Sequence, residues 1–382
     1  MMLPKTADIV IIGGGINGTS LAYYLAKKGF KNIVILEKNF VCSGATGRCG
    51  AGIRQQWGTS ENTSLAMEAV KLFENLSDEL DWDIEYEQCG YLIPAFTDEF
   101  ADQFSKNVRM QKKLGLDVSY LTPQQAKDIV PDLCIDKVIA ATYCPTDGGG
   151  NPLLTTYAYA QRAKELGVKI YTKTEVIDIV TSGGKVNSVV TDIGTISTPR
   201  VFNAAGGHSQ EIAAMIDIEL PINSYRHQIL VTEPVEHFFD PMIISFDYNI
   251  YFRQVKHGAI LMGCGDTNEK PGFETTSTLD FIKDITKRSI KIMPKLKKLN
   301  VLRQWAGLYN MTPDAMPIIG DVEDVEGYFQ AVGFSGHGYM LGPKVATLMA
   351  ELIADGKRDE IIDRLSPERF KSGNLQIDSS VV

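Results

Sequence analysis

Apolar positions fall into two rhythms near the start of the chain. Ile9-Val10-Ile11-Ile12 is an unbroken apolar run, the pattern of a strand buried on both faces. After Gly13-Gly14-Gly15, Leu21 and Leu25 stand four apart with Ala22 and Ala26 beside them. That spacing predicts a helix, with Gly29 at the place of a helix stop. Ile33-Val34-Ile35-Leu36 predicts a second buried strand, ending at Glu37. The first 38 residues therefore read as one βαβ unit.

Leu65, Ala69, Leu72, Leu76 and Leu80 keep a helical stripe, and Phe100, Phe104 and Val108 mark another helix before Gly115. Thr122-Pro123-Gln124-Gln125 has the form of a capping box with proline at the first helical position. A helix over 153–166 ends at Gly167 and leads into a strand over 168–171. Residues 176–180 and 186–190 flank Ser182-Gly183-Gly184-Lys185 as a hairpin or meander. Val201-Phe202-Asn203 is a strand meeting a turn at Ala204-Ala205-Gly206. Beyond Pro221 the character shifts to strands, over 228–232, 250–254 and 259–263, followed by a basic helix over 279–293. A last helix is expected over 343–354. With no repeat, low-complexity tract or linker, the domains are expected to interleave in sequence.

Composition narrows the function classes. For 382 residues the prior is two or three domains, and 44% hydrophobic with 22% charged residues is ordinary globular usage. A chain this long buries about three quarters of its unfolded surface and needs no disulfide or metal staple. The net charge of −9, with no basic run interleaved with aromatics, excludes nucleic acid as a partner. Cys42, Cys49, Cys89, Cys134, Cys144 and Cys264 form no C-x-x-C pair and no zinc spacing, so reduced packing thiols and no metal are expected. The N-terminus lacks a signal peptide's pattern, and no apolar run approaches the roughly 18 residues of a membrane span. A cytoplasmic protein without an integral membrane segment is expected.

Candidate chemistry sits in the βαβ unit. Gly13-x-Gly15-x-x-Gly18 lies between strand and helix, with Glu37 nineteen residues after the last glycine. The first glycine permits the tight turn, the second admits a pyrophosphate, and the third lets helix and strand pack closely. The helix N-terminus offers free N–H groups to phosphate, and Glu37 can accept from a ribose hydroxyl. This predicts dinucleotide binding and leaves NAD or FAD open.

Further motifs follow in order: Ser43-Gly44-Ala45-Thr46-Gly47-Arg48, Gly52-Ile53-Arg54-Gln55-Gln56, Pro145-Thr146-Asp147-Gly148, Asn203-Ala204-Ala205-Gly206, Arg226-His227-Gln228, Trp305-Ala306-Gly307 with Thr312-Pro313-Asp314, and Gly333 to Met340. In this succession the chain resembles the D-amino-acid-oxidase-like FAD oxidoreductases, above all the sarcosine oxidase β-subunits and archaeal dye-linked L-proline dehydrogenase β-subunits. The resemblance implies an α/β fold. A Rossmann-type FAD-binding domain (1–85, 140–220 and 305–382) would interleave with an α+β substrate domain on an antiparallel sheet (86–139 and 221–304).

It also implies roles. The nucleotide end of FAD would lie on Gly13, Gly14, Gly15, Ile16, Asn17 and Gly18, with Glu37, Lys38, Val176, Ala205 and Gly206. Ser43, Gly44, Thr46, Gly50, Gly307 and Gly333 would complete the cradle, with Arg48 against the flavin ring. Backbone N–H groups of Gly336, His337, Gly338, Tyr339 and Met340 would stabilise the negative charge of the reduced ring after hydride transfer to N5. Arg54 would fix a substrate carboxylate, a bond worth roughly 1.5–3 kcal/mol. His227, Tyr251, Tyr309 and His337 would line the substrate pocket, whereas His208, His237 and His257 read as surface or packing histidines.

Departures from the family pattern matter. Gly307 stands where monomeric sarcosine oxidases carry the flavin-tethering cysteine, so FAD is expected to be non-covalent. Gly150 falls near the histidine that anchors a second flavin in heterotetrameric relatives, so any FMN at a subunit interface should dissociate. Met340 and Tyr309 replace a lysine and an arginine of other members, which weakens transfer of substrate identity. The apolar Ala259-Ile260-Leu261-Met262 run stands at the oxygen-activating lysine. The resemblance thus implies a dehydrogenase of a secondary-amine (imino) acid, L-proline first and sarcosine or hydroxyproline next, working with a companion α-type subunit. The alternatives are a self-sufficient oxidase of sarcosine, glycine or glycerol 3-phosphate, and a flavin electron-transfer subunit without its own substrate.

Overall fold

A computed structural model describes residues 2–372 together with 375 and 378. The opening unit forms as its pattern predicts: β1 (Ile9–Ile12), α1 (Ile16–Lys27) and β2 (Ile33–Glu37). β1 and β2 run parallel and are buried throughout. They lie inside a six-stranded sheet whose spatial order is Ile318–Asp321, Tyr328–Val332, Val201–Asn203, β1, β2, Lys169–Thr172. Every neighbouring pair is parallel except the edge strand Ile318–Asp321. Because β1 has β2 on one side and Val201–Asn203 on the other, a crevice opens beyond its C-terminal end, at Gly13.

α1 is buried nearly all round, since it packs against both the Pro152–Glu165 and the Gly338–Asp355 helices. Leu21, Leu25 and Ile16 are fully buried there, each contributing about 1.5–3 kcal/mol. The Gly338–Asp355 helix starts five residues before its expected beginning at 343 and carries Pro343 inside. Proline lacks the N–H that would bond the carbonyl of Tyr339. Burial of Tyr339, Met340 and Leu341 in the core outweighs that loss.

An eight-stranded sheet forms the second layer system, in the order Val301–Met311, Asn223–Thr232, Ile260–Cys264, Ile250–Gln254, Met242–Ser245, Tyr91–Ala95, Ala140–Cys144, Ser119–Leu121. It is antiparallel except where Met242–Ser245 meets Tyr91–Ala95. Pro94 is tolerated in this interior strand because the neighbouring strand pairs only with Tyr91 and Leu92. The amphipathic Leu279–Ile292 helix covers the sheet through Phe281, Ile285 and Ile292. A three-stranded antiparallel sheet (Val176–Ser182, Lys185–Thr191, Gly194–Ser197) includes the expected hairpin.

Sheet membership divides the chain differently from the segments expected at 140 and 305. Ala140–Cys144 pairs with Tyr91–Ala95 and Ser119–Leu121, and Val301–Met311 pairs along its length with Asn223–Thr232, so ladder pairing draws both into the eight-stranded sheet. The end of the 305–382 segment lies largely outside the described residues. Among the described residues, no helix is long and apolar enough to cross a membrane.

Candidate functional site

The crevice beyond β1 opens into a cavity of ≈ 560 Å³, within the roughly 300–1,000 Å³ of ligand pockets. Gly13 turns the chain at φ +114°, where a Cβ would lie 2.4 Å from the Ala204 carbonyl oxygen. A Cβ on Gly18 would lie 2.0 Å from the Gly13 carbonyl oxygen, so only glycine lets α1 pack this close to the turn. α1 then presents first-turn N–H groups that lack intrahelical partners toward the crevice. The Ile16 N–H is held by Thr46 Oγ1 at 3.3 Å.

Glu37 organises the nucleotide end. Its Oε2 accepts from the Gly14 N–H at 2.8 Å, and its Oε1 accepts from the Asn39 N–H at 2.8 Å. A carboxylate has about four acceptor sites, so capacity remains for ribose hydroxyls. Lys38, Ser43, Gly44 and Val176 line the same cavity. On the opposite strand, Ala205 donates its N–H to Asn203 Oδ1 at 3.1 Å, which shapes the turn carrying Gly206 to the wall.

Arg48 joins this wall to the second sheet. Its Nε donates to the Ser43 carbonyl at 3.1 Å and its guanidinium to the Ala306 carbonyl at 2.7 Å. Trp305 Nε1 donates back to the Arg48 carbonyl at 3.0 Å. Gly307 follows directly on the cavity wall. At the far end His337 is the residue capping the Gly338–Asp355 helix, so Gly338 and Tyr339 bring first-turn N–H groups to the wall beside Gly336.

A second, smaller cavity of ≈ 60 Å³ adjoins this end. Arg54, Tyr91, Met242, Ile244, Tyr251 and Met340 line it, and Tyr309 borders both cavities. Arg54 is 2% exposed, and burial lowers its pKa. Its guanidinium lies 4.7 Å from the Trp57 ring and 5.6 Å from the Phe246 ring. His227 is sandwiched parallel between Tyr309 at 4.1 Å and Tyr251 at 5.6 Å, with Nε2 3.2 Å from the Tyr251 hydroxyl. Burial pushes its pKa down to about 3. His337 falls to about 3 through burial and then the Arg54 charge. Both rings are therefore neutral at physiological pH.

The expected residues distribute between the two cavities. Gly50, Arg54, Tyr251, His337 and Met340 line the smaller one, although Gly50, His337 and Met340 were also expected on the cofactor. Gly14, Gly18 and Gly333 line neither; the first two build the turn, and Gly333 packs on Thr312 and Ile222. His227 lines the larger cavity. His237 and His257 are exposed, as read from sequence. His208 instead lines the large cavity, its ring stacked on Phe273 at 4.6 Å. Phe273 belongs to a loop over 265–278 that crosses from the second sheet and also brings Thr275 to the wall. No apolar rhythm marks that loop, so sequence reasoning missed it. Tyr91, Met242 and Ile244 were missed because their short strands carry no readable alternation.

The cavities together fit a flavin dinucleotide. The close-packed glycine turn and the paired Glu37 suit the pyrophosphate and ribose. Among the described residues, Asn17 Oδ1 and His337 Nδ1, both buried, have no protein hydrogen-bond partner and leave polar capacity at the end where a ring would lie. The model of the FAD dependent oxidoreductase family matches residues 8–352. The chain belongs to that family. The chain is 32% identical over 378 residues to the sarcosine oxidase subunit beta of an Arthrobacter species, covering 97% of this chain and 93% of that protein. The crystal structure of L-proline dehydrogenase from P. horikoshii superimposes with a TM-score of 0.93 at 40% identity, covering 98% of this chain and 100% of that one. Glycine oxidase from Bacillus cereus gives 0.84 at 26% identity, covering 94% and 98%. The chain is an FAD-dependent amine or amino-acid oxidoreductase.

Proposed function

We propose that the chain is an FAD-dependent dehydrogenase of a small secondary-amine acid, L-proline first and sarcosine or hydroxyproline next. The observation that carries this reading is a buried cation, Arg54, in a small cavity lined also by Tyr91, Tyr251, Met242, Ile244 and the neutral His337. A carboxylate there gains a charge-assisted bond in a secluded site, and Met242, Ile244 and the tyrosine rings suit a small carbon frame. The 40% identical L-proline dehydrogenase supports the ranking of substrates.

When bound, FAD supplies the acceptor for the hydride that leaves the carbon next to nitrogen. The chain's own groups do the rest. Arg54 grips the carboxylate and so fixes the direction of the Cα–H bond. Tyr251, Met242 and Ile244 exclude water from the substrate face. The first-turn N–H groups of Gly338 and Tyr339 put partial positive charge on the cavity wall, which would stabilise the negative charge of a reduced flavin held there. Neutral His227 and His337 add no competing cation to Arg54.

The reading extends to partners. The relatives named sarcosine oxidase subunit beta support a heteromeric complex in which this chain is the catalytic subunit beside an α-type companion, with electrons leaving to a carrier such as interface FMN. It also carries a cytoplasmic location and non-covalent FAD. An anaerobic panel of L-proline, sarcosine, hydroxyproline, glycine and glycerol 3-phosphate, read by loss of flavin absorbance, tests it. L-proline should bleach fastest. Fastest bleaching by glycine or glycerol 3-phosphate would overturn the substrate class, and no bleaching by any of them would favour a subunit that only carries electrons.

A further inference from the structure

We propose that Asp147 is a positioning residue that holds Arg54 in its substrate-facing pose through the Gln55–Trp57 turn. The inference rests on the reading of Arg54 as the carboxylate contact. Two sequence motifs that lie about ninety residues apart meet at this point.

Asp147 is fully buried. Its Oδ1 accepts from the Gln55 backbone N–H at 2.7 Å and from Gln55 Nε2 at 3.1 Å. Its Oδ2 accepts from Gln56 Nε2 at 3.0 Å. The other end of Gln56 is anchored too, because Oε1 accepts from Thr142 Oγ1 at 2.6 Å. The Asp147 carbonyl accepts from the Gly90 N–H at 2.7 Å. Residues 55 and 56 are thus fastened to Tyr91–Ala95 and Ala140–Cys144, the part of the sheet that carries Tyr91 into the small cavity.

Arg54 precedes this clamp directly. Its carbonyl accepts from Trp57 Nε1 at 3.2 Å, and its guanidinium lies over the same indole. The Trp57 ring meets His337 edge-on at 4.4 Å. A shift of residues 55 and 56 therefore displaces Arg54 and the Trp57 indole its guanidinium lies over.

The chemistry requires a carboxylate rather than an amide. Three donors converge on two oxygens, so both oxygens must accept. An Asn at 147 would turn an NH₂ toward one of those donors, and a protonated carboxyl would do the same with its O–H. The Asp378 carboxylate and, less strongly, that of Asp147 offset part of the cost of burying the Arg54 cation. Burial raises the Asp147 pKa to about 6, so the clamp is charged at neutral pH and neutral in mild acid. Among the described residues, the titratable groups facing it are Arg54, Tyr86, Tyr91, Tyr143 and Cys144, and Asp378 faces Arg54 in turn. Burial pushes the phenols and the thiol upward, so none of those changes charge near that pH.

The test uses the FAD-loaded protein titrated with propionate, a carboxylate without an amine, read by perturbation of the flavin's visible spectrum. Wild-type binding should weaken as the pH falls through about 6. D147N should bind about tenfold more weakly at neutral pH, as a displaced contact group does, and should lose that pH step. T142V, a milder change, should weaken binding in the same direction and keeps the test open if D147N does not fold. Oxidation of pyrrolidine, which has no carboxylate, should change less than twofold in T142V. R54Q should abolish propionate binding. If R54Q abolishes binding while D147N and T142V bind like wild type, the positioning role is wrong and the Arg54 reading stands. If R54Q binds like wild type, the Arg54 reading itself is wrong. Equal losses for propionate and pyrrolidine would reduce Asp147 to a structural residue and overturn the inference.

Discussion

Arg54, His227 and His337 show how burial sets charge around the small cavity. The two histidines are neutral in the fold, with pKa near 3, but titrate near 6.5 when the chain is unfolded. The unfolded state therefore binds more protons below 6.5, and folding stability is lost as the pH falls from there toward 3. Asp147 works the other way. Its folded pKa of about 6 lies above the unfolded 3.8, so it favours the fold as the pH drops through that window. With two groups against one, the urea midpoint should fall between pH 6.5 and 5, and H227Q should reduce the slope. A midpoint flat across that range would contradict the neutral-histidine assignment. Residue-scale roles were legible wherever neighbours in sequence share the work, as with Gly13, Gly18 and Glu37. They were not legible for Asp147, since its partners Gln55 and Gln56 come from a distant stretch of chain.

Helix caps and crossing loops divide along the same line. Thr122 forms the expected capping box, because its partner Gln125 is three residues away. Thr278 caps the basic Leu279–Ile292 helix through the Phe281 N–H at 3.3 Å. T278A should cost about 1 kcal/mol of stability, measured by denaturant unfolding, and no change would show that the cap is idle. The preceding loop over 265–278 is held by Arg226, whose Nε donates to Glu269 at 3.0 Å, and by the Gly272 N–H on the Ser224 carbonyl. Its Phe273 stacks on His208 at the cavity wall, a contact set by tertiary packing that no local pattern announces. F273A should release FAD several-fold faster on dilution, read by the fluorescence of the freed flavin, because an aromatic pair is worth about 0.5–1.5 kcal/mol. An unchanged release rate would show that the loop does not help retain the cofactor. The late helix illustrates the converse: its start was expected at 343, and core burial set it at Gly338.

At the scale of the molecule, two sheets meet so that the glycine turn of one and the Val301–Met311 strand of the other wall a single cavity. The parallel sheet and its switch point were readable from buried apolar runs, and the strand-rich shift after Pro221 announced the second sheet. The pairing of Val301–Met311 with Asn223–Thr232 was not readable, since register over that separation is fixed by packing rather than by either strand alone. With Gly307 on the wall beside Arg48, acid precipitation should leave the flavin in the supernatant, whereas a yellow pellet would mean a covalent tether elsewhere.

The most direct measurement is an anaerobic titration of the FAD-loaded protein with L-proline, in parallel for wild type and R54Q. Wild type should lose its flavin absorbance at about one equivalent of substrate. R54Q should need roughly 10- to 100-fold more, the loss of a charge-assisted bond of about 1.5–3 kcal/mol. Bleaching of R54Q at the wild-type concentration, or no bleaching of either protein, would contradict the account.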